Sequence, residues 1–348
     1  MRRYVTIAGR KIGEGRPVFI IAEAGVNHNG SLAIAMKMVD AAKNAGADAV
    51  KFQTFRAEEL VVKDAPKAAY QKRAVPGKSQ FQMLKSLELS EEAFKRLSDH
   101  CKKRKILFLS TPFDLQSATL LNRLGVSAFK ISSGEITNTP LLKQAAGYGK
   151  PIILSTGMST LREVREAVDV IYSAGNRRLI LLHCTSNYPA RYEDANLRAI
   201  VTLQKNFDCP VGYSDHTEGL EASIAATALG ACVIERHFTL DRAMKGPDHK
   251  ASLDVKGLED LVRSVRNTEK SMGGGIKAPA SAEEEVKRIA RKSVVALEDI
   301  PKGRTIRRSM LTVKRPGTGL SPKYLYILDG KKAKLRIKKD EVLTSDMI

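Results

Sequence analysis

The chain has 348 residues, 43% of them hydrophobic and 28% charged, which is the balance of a globular protein with room for one large domain and one small one. Its net charge of +20 invites a nucleic-acid reading, but the basic residues run along the whole sequence, aromatic residues make up only 5%, and no nucleic-acid module signature is present. Anionic small substrates explain the charge at least as well, so no nucleic-acid partner is expected.

Short β-branched segments alternate with helical patterns along most of the chain. Met1-Arg2-Arg3-Tyr4-Val5-Thr6 has a basic flank without an apolar core or cleavage site, so no secretory signal is expected. A hairpin is expected from Tyr4–Ile7 and Lys11–Ile12 around Gly9-Arg10, followed by the strong strand Val18–Glu23. The apolar run from Val18 to Ala22 is too short to span a bilayer, and no membrane partner is expected. Ser31 caps a helix to about Ala45, with Leu32, Ala35, Met36, Val39 and Ala42 at helical spacing. Asp48–Gln53 is the second strand. The connection from Thr54 to Leu89 is too long for a plain loop and reads as a lid or substrate wall.

Ser90 is the expected cap of the next helix, with Glu91 and Glu92 in its first turn. Strand Ile106–Ser110 is followed by helix Leu115–Leu124, and strand Ala128–Ser132 by helix Thr139–Tyr148. Strand Pro151–Ser155 precedes a helix opened by a Thr160/Glu163 capping box. Strand Leu179–His183, a helix near Asn196–Lys205, and strands Pro210–Tyr213 and Ala231–Ile234 come next, and the last helix is Val255–Met272. Eight such units over roughly 250 residues fit a (β/α)8 TIM barrel, the α/β class with buried parallel strands. An open doubly wound sheet is the alternative, and no glycine-rich dinucleotide fingerprint supports it.

The expected domains are a barrel over residues 1–272, a linker over 273–282 and a small β-rich domain over 283–348. In the last, Ser281 and Glu284 read as a capping box, and Val294–Leu297, Leu311–Val313 and Lys334–Ile337 as short strands. Cys101, Cys184, Cys209 and Cys232 stand singly with no C-x-x-C pair, as expected of reduced thiols in a cytoplasmic protein.

Chemistry in such a barrel lies at the carboxyl ends of its strands. Those ends carry Glu23; Lys51 and Gln53; Ser110 and Thr111; Lys130, Ser132, Ser133 and Glu135; Ser155 and Thr156; His183 and Thr185; Ser214 and His216; and Glu235 and His237. His216 and His237, ending neighbouring strands, suit a divalent transition metal with open positions for a substrate oxygen. The alternative is two unrelated polar loop residues. Lys51 and Lys130 amid hydroxyls suit a phosphorylated or carboxylated substrate, with a Schiff-base lysine as the rival chemistry. Each single Ser or Thr could equally be a helix cap. Glu23 and Glu135 could act as acid, base or hydroxyl-binding groups. His28 and His249 lie in loops at the same end, His100 reads as a surface residue, and His183 as support for the site.

The motifs I-A-E-A-G-V-N-H-N-G (Ile21–Gly30), K-F-Q-T-F (Lys51–Phe55), S-T-P-F-D (Ser110–Asp114) and K-I-S-S-G-E-I (Lys130–Ile136) resemble those of sialic acid synthases. So do L-L-H-C-T-S-N-Y-P (Leu181–Pro189), G-Y-S-D-H-T (Gly212–Thr217), E-R-H-F-T (Glu235–Thr239) and G-P-D-H (Gly246–His249). K-R-P-G-T-G-L-S-P (Lys314–Pro322) resembles the antifreeze-like, or SAF, domain at their carboxyl end.

The resemblance covers essentially the whole chain. It implies condensation of phosphoenolpyruvate with an N-acetylated hexosamine to give a nine-carbon 2-keto acid. It implies a manganese or magnesium ion on His216 and His237, and phosphoenolpyruvate held by Lys51, Thr111, Lys130, Ser133, Ser186 and Ser214. Sugar contacts would come from Glu23, Gln53, Tyr188 and Asp248, and proton transfer from Glu135, with Glu23 and His237 sharing in catalysis. Arg315 would reach the N-acetyl group from the partner in a domain-swapped homodimer. Two departures are Ser186, where some members have asparagine, and Arg236, where lysine is frequent. N-acetylmannosamine is the favoured acceptor. Its 6-phosphate and the diacetamido-dideoxy hexoses that lead to legionaminic or pseudaminic acid are alternatives, and a Schiff-base aldolase or a polyanion-binding scaffold are distant ones.

Overall fold

The computed structural model describes residues 3–68, 71, 72 and 75–348. The chain divides into two compact units, residues 1–273 and 274–348. The first opens with an antiparallel hairpin, β1 (Tyr4–Ile7) and β2 (Arg10–Gly13). Eight parallel strands follow: β3 (Phe19–Gly25), β4 (Ala49–Thr54), β5 (Leu107–Pro112), β6 (Phe129–Ile131), β7 (Ile152–Ser155), β8 (Leu179–Cys184), β9 (Val211–Asp215) and β10 (Val233–His237). Their order is β5-β4-β3-β10-β9-β8-β7-β6, and β5 lies beside β6, which brings the ring round to a near-closed TIM-type barrel.

Why these segments form strands is plain from their burial. Every residue of F-I-I-A-E-A-G in β3 is buried, because one face meets the barrel interior and the other meets the helices. The helices answer with a single apolar stripe. In helix Leu32–Asn44 the buried residues are Ala35, Met38, Val39 and Ala42, and Ser31 caps it by accepting from the Ile34 amide. Helix Glu91–Arg104 is capped by Ser90, has Glu91 and Glu92 in its first turn, and ends on Lys105 in the left-handed conformation. The Thr160/Glu163 capping box is present on helix Leu161–Ser173.

The interior of the barrel is filled near its amino-terminal end by Phe19, Ile21, Ala49, Leu109, Ile153, Ile180 and Val233. Val5, Ile7 and Ile12 of the hairpin join the same cluster, so the hairpin plugs that mouth. The opposite mouth is the one left for chemistry. The long connection after β4 leaves the barrel at that end and carries helices Ala57–Leu60 and Gln80–Lys85. Val26, Phe55, Met83 and Leu87 form a small separate core beneath it.

In the second unit β11 (Ser293–Ala296) pairs antiparallel with β12 (Leu311–Lys314). Val294, Ile300, Ile306, Leu311, Leu328, Ile337 and Leu343 lie in a core of its own. Two expectations fail here. Helix Glu283–Ala290 begins without a side-chain cap, and it is Glu283 that accepts from the Ala280 amide, so the Ser281/Glu284 box does not form. Lys334–Ile337 is not a regular strand; it is joined to the rest only by isolated bridges such as Ile300 with Ile337, because turns interrupt the ladder.

Candidate active site

Alternation along the strands decides which side chains meet. Residues two apart share a face, so Lys51 and Gln53 of β4, Glu235 and His237 of β10, and Ser214 and His216 at the end of β9 all turn toward one cavity of about 290 Å³. Glu23, Thr111, Lys130, Ser133, Ser186 and Tyr188 line it too. The register places His237 beside Glu23 and Glu235 beside Ser214.

The floor is a chain of buried charges. Lys51 Nζ lies 3.1 Å from Glu23 Oε2 and 3.5 Å from Glu235 Oε2, and Lys130 Nζ lies 3.4 Å from Glu235 Oε1. Lys51 donates to Thr111 Oγ1 at 3.2 Å, Lys130 to Ser155 Oγ at 2.8 Å, and Ser214 Oγ to Glu235 at 3.0 Å. Gln53 donates to Glu23 at 3.4 Å.

Burial and neighbours divide these groups. Burial works against charge on Lys51, yet the two flanking carboxylates outweigh it and raise its pKa. Lys51 is therefore held as an ammonium, the form that binds oxyanions and cannot attack a carbonyl. Burial dominates for Lys130 and lowers its pKa. Glu235 is brought down to about 2 because Lys130 and Lys51 overcome the cost of burial, whereas burial pushes Glu23 up to about 7. Of the two carboxyls around Lys51, Glu235 keeps the charge and Glu23 takes the proton first.

Above this floor the imidazoles of His216 and His237 sit with ring centroids 5.4 Å apart. His216 Nδ1 is 2.8 Å from the Thr185 carbonyl oxygen, which fixes the ring and leaves Nε2 available as a ligand. His237 Nδ1 is buried with no hydrogen-bond partner in the protein, and burial drives the pKa of this ring well below the usual value. A neutral imidazole such as that of His237 is what a divalent cation requires; at His216 the Cys184 thiol and the Thr185 carbonyl outweigh burial and raise the pKa. Among the described residues no group of three or more His, Cys, Asp or Glu side chains is placed to hold a metal. Tyr188 packs on both rings, its centroid 4.2 Å from His216 and 5.6 Å from His237.

Ser133 and Ser186 approach each other across Gly157, whose amide donates to Ser133 Oγ at 2.9 Å. A Cβ at Gly157 would lie 2.3 Å from Ser186 Oγ, so only glycine lets both hydroxyls face the cavity.

Three expected site residues stand apart. Glu135 lies in the turn Ser133–Glu135 and does not line the cavity; its carboxylate accepts from Asn138 at 2.7 Å, and partial burial raises its pKa. Asp248 is buried near His216 but outside the lining, and burial lifts it to about 6. Arg315 is exposed and belongs to the C-terminal unit.

Among the other histidines, His183 Nε2 donates to the Ala195 carbonyl oxygen at 2.8 Å, and the residue takes no part in the cavity. His100 is partly exposed, pairs with Asp40 at 2.9 Å and stands away from the cavity, as expected. Sequence reading placed Glu235 and Ser155 at strand ends but gave them no role. The two-residue spacing of Glu235 from His237 was the available signal. Cys184, Phe113 and Met158, also in the lining, had none.

Comparison with known proteins agrees with this geometry. Residues 38–277 match the NeuB family and residues 291–348 the SAF domain. An N,N'-diacetyllegionaminic acid synthase of Campylobacter jejuni is 50% identical over 94% of this chain and 99% of its own length. The N-acetylneuraminate-9-phosphate synthase of Mus musculus is 38% identical over 98% of this chain and 95% of its own. The crystal structure of an N-acetylneuraminic acid synthetase from Leptospira borgpetersenii, in complex with citrate, superposes with a TM-score of 0.73 at 38% identity, covering 82% of this chain and 95% of that one. With a barrel whose strand ends converge on paired lysines and paired histidines, and with matches spanning nearly all of its length, this chain belongs to the NeuB family of sugar-acid synthases and carries a SAF domain.

Proposed function

We propose that the enzyme condenses phosphoenolpyruvate with an N-acylated hexosamine, forming a nine-carbon 2-keto sugar acid and phosphate. The observation that carries this reading is one cavity in which two buried lysines and a set of hydroxyls lie beneath two imidazoles. The lysines, Thr111, Ser133, Ser186 and Ser214 would hold the phosphate and carboxylate through charge-assisted bonds that need no reorganisation during reaction. Glu23, Gln53, Tyr188 and Asp248 would hold the open-chain sugar, and Arg315, supplied across a domain-swapped homodimer, its N-acyl group.

In the reaction the methylene carbon of phosphoenolpyruvate forms a bond to the aldehyde carbon of the sugar. Water then adds at C2, and the tetrahedral intermediate expels phosphate by C–O cleavage. Glu23, poised between charged and neutral forms, is the carboxyl in the cavity able to move a proton; Glu135 would act after a shift toward the substrate. A manganese or magnesium ion on His216 and His237 would supply Lewis-acid polarisation of the aldehyde oxygen.

N-acetylmannosamine is the acceptor first favoured from sequence, although no residue of the motifs decides between the sugars. The identity of 50% to a diacetyllegionaminic acid synthase against 38% to a 9-phosphate synthase favours a diacetamido-dideoxy hexose instead, and we adopt that acceptor. The cavity supports it: Lys51 and Lys130 are its only lysines and no arginine lines it, so the described lining offers no further cation for a sugar phosphate. Phosphate release from phosphoenolpyruvate, measured against N-acetylmannosamine, its 6-phosphate and the diacetamido hexoses, tests the reading. Release with none of them overturns the reaction, and preference for the 6-phosphate overturns the choice of sugar. Chelator should abolish turnover and manganese restore it.

A further inference from the structure

Beyond the groups that face the cavity, one cation behind its wall has no role in the proposed chemistry. Arg236 stands between Glu235 and His237 on β10, so alternation sends it to the opposite face of the strand. Only 1% of its surface is exposed. Burying a guanidinium is expensive unless its donors find partners, and both terminal nitrogens of this one do. Nη1 pairs with Asp215 Oδ2 at 2.5 Å, while Nη2 donates to the Thr217 carbonyl and, at 3.0 Å, to that of Glu218.

These acceptors bracket His216. Asp215 precedes it, and Thr217 and Glu218 follow it. Asp215 in turn accepts from the Thr217 amide and hydroxyl, both at 2.9 Å, and from Ser223 Oγ at 2.6 Å. The loop is thus wound around one carboxylate and clamped by one guanidinium. That guanidinium is rooted on the strand that carries His237.

We propose that Arg236 is a positioning residue: it ties the loop bearing His216 to the strand bearing His237 and so sets the separation of the two imidazoles. The proposal rests on the reading of those histidines as the metal ligands. A lysine could neutralise Asp215 but could not also reach two carbonyls, since a planar fork of five donors is what spans them.

The test is manganese binding to the substrate-free protein, read by electron paramagnetic resonance, alongside circular dichroism and thermal melting. Arg236→Lys should stay folded and bind manganese about tenfold more weakly, the scale of losing an outer partner of a metal-binding imidazole. Calorimetry in chelator should find phosphoenolpyruvate affinity unchanged, and kcat at limiting manganese should fall and recover as manganese is raised. Ser223→Ala, which removes one bond to Asp215 and keeps the ion pair and the Thr217 bonds, should weaken manganese about twofold, the scale of losing one hydrogen bond whose acceptor stays otherwise satisfied. Unchanged manganese affinity in folded Arg236→Lys overturns the proposal; if that variant does not fold, unchanged affinity in Ser223→Ala does so. Intact manganese binding in His216→Ala would instead defeat the underlying metal reading.

Discussion

Burial raises the pKa of both carboxyls beside Lys51, and their charged neighbours then drive the two apart. Glu23 and Glu235 flank the same lysine, yet Glu23 rises to about 7 and Glu235 falls to about 2, because Glu235 alone touches Lys130 as well. A carboxyl with a raised pKa holds its proton more tightly in the native state than in the unfolded chain. Its contribution to stability is therefore full below its unfolded pKa near 4.5 and is lost as pH rises to about 7. Glu23→Gln cannot ionise and should flatten that decline, a difference visible in Tm between pH 4 and 8. Two of the thiols show the plain effect of burial. Burial pushes Cys101 and Cys209 up to about 12, so at pH 8 iodoacetamide should leave both unmodified until urea unfolds the chain, as mass spectrometry would read. All four cysteines are free and buried, which the lack of paired spacing in the sequence already indicated.

Among the elements, the barrel strands were legible because a strand buried on both faces must be an unbroken apolar run. Their positions emerged within three residues, and what shifted them was register, which neighbours impose. The long connection after β4 reads in sequence as a lid or wall; the structure adds that it is anchored by Phe55, Met83 and Leu87. β9 shows what register demands. A Cβ on Gly212 would lie 2.6 Å from the Val233 carbonyl oxygen and 2.7 Å from Leu182, so Gly212→Ala should cost about 1–3 kcal/mol of strain in urea unfolding and displace the strand that carries Ser214 and leads to His216. Helix ends are more forgiving. Removing the Thr160 cap by Thr160→Ala should cost about 1 kcal/mol, measured the same way, and leave the cavity untouched.

For the molecule as a whole, each unit has its own hydrophobic core, so residues 1–273 expressed alone should melt cooperatively, as calorimetry would show. If Arg315 reaches the N-acyl group as proposed, Arg315→Ala should raise KM for the sugar about tenfold, the order of one lost charge-assisted bond, and leave KM for phosphoenolpyruvate near its original value. Among the described residues no helix is long and apolar enough to cross a membrane, in keeping with the short apolar runs of the sequence. The sequence by itself determined the repeated strand and helix pattern, the barrel class and the polar residues at the strand ends, since periodicity and local capping are properties of neighbouring residues. Only the tertiary structure decided that Glu235 joins both lysines, that Glu135 turns to Asn138 rather than the cavity, and that Arg236 braces the His216 loop. Those outcomes depend on which strands become neighbours and at what register, and on burial that no local stretch of chain can specify.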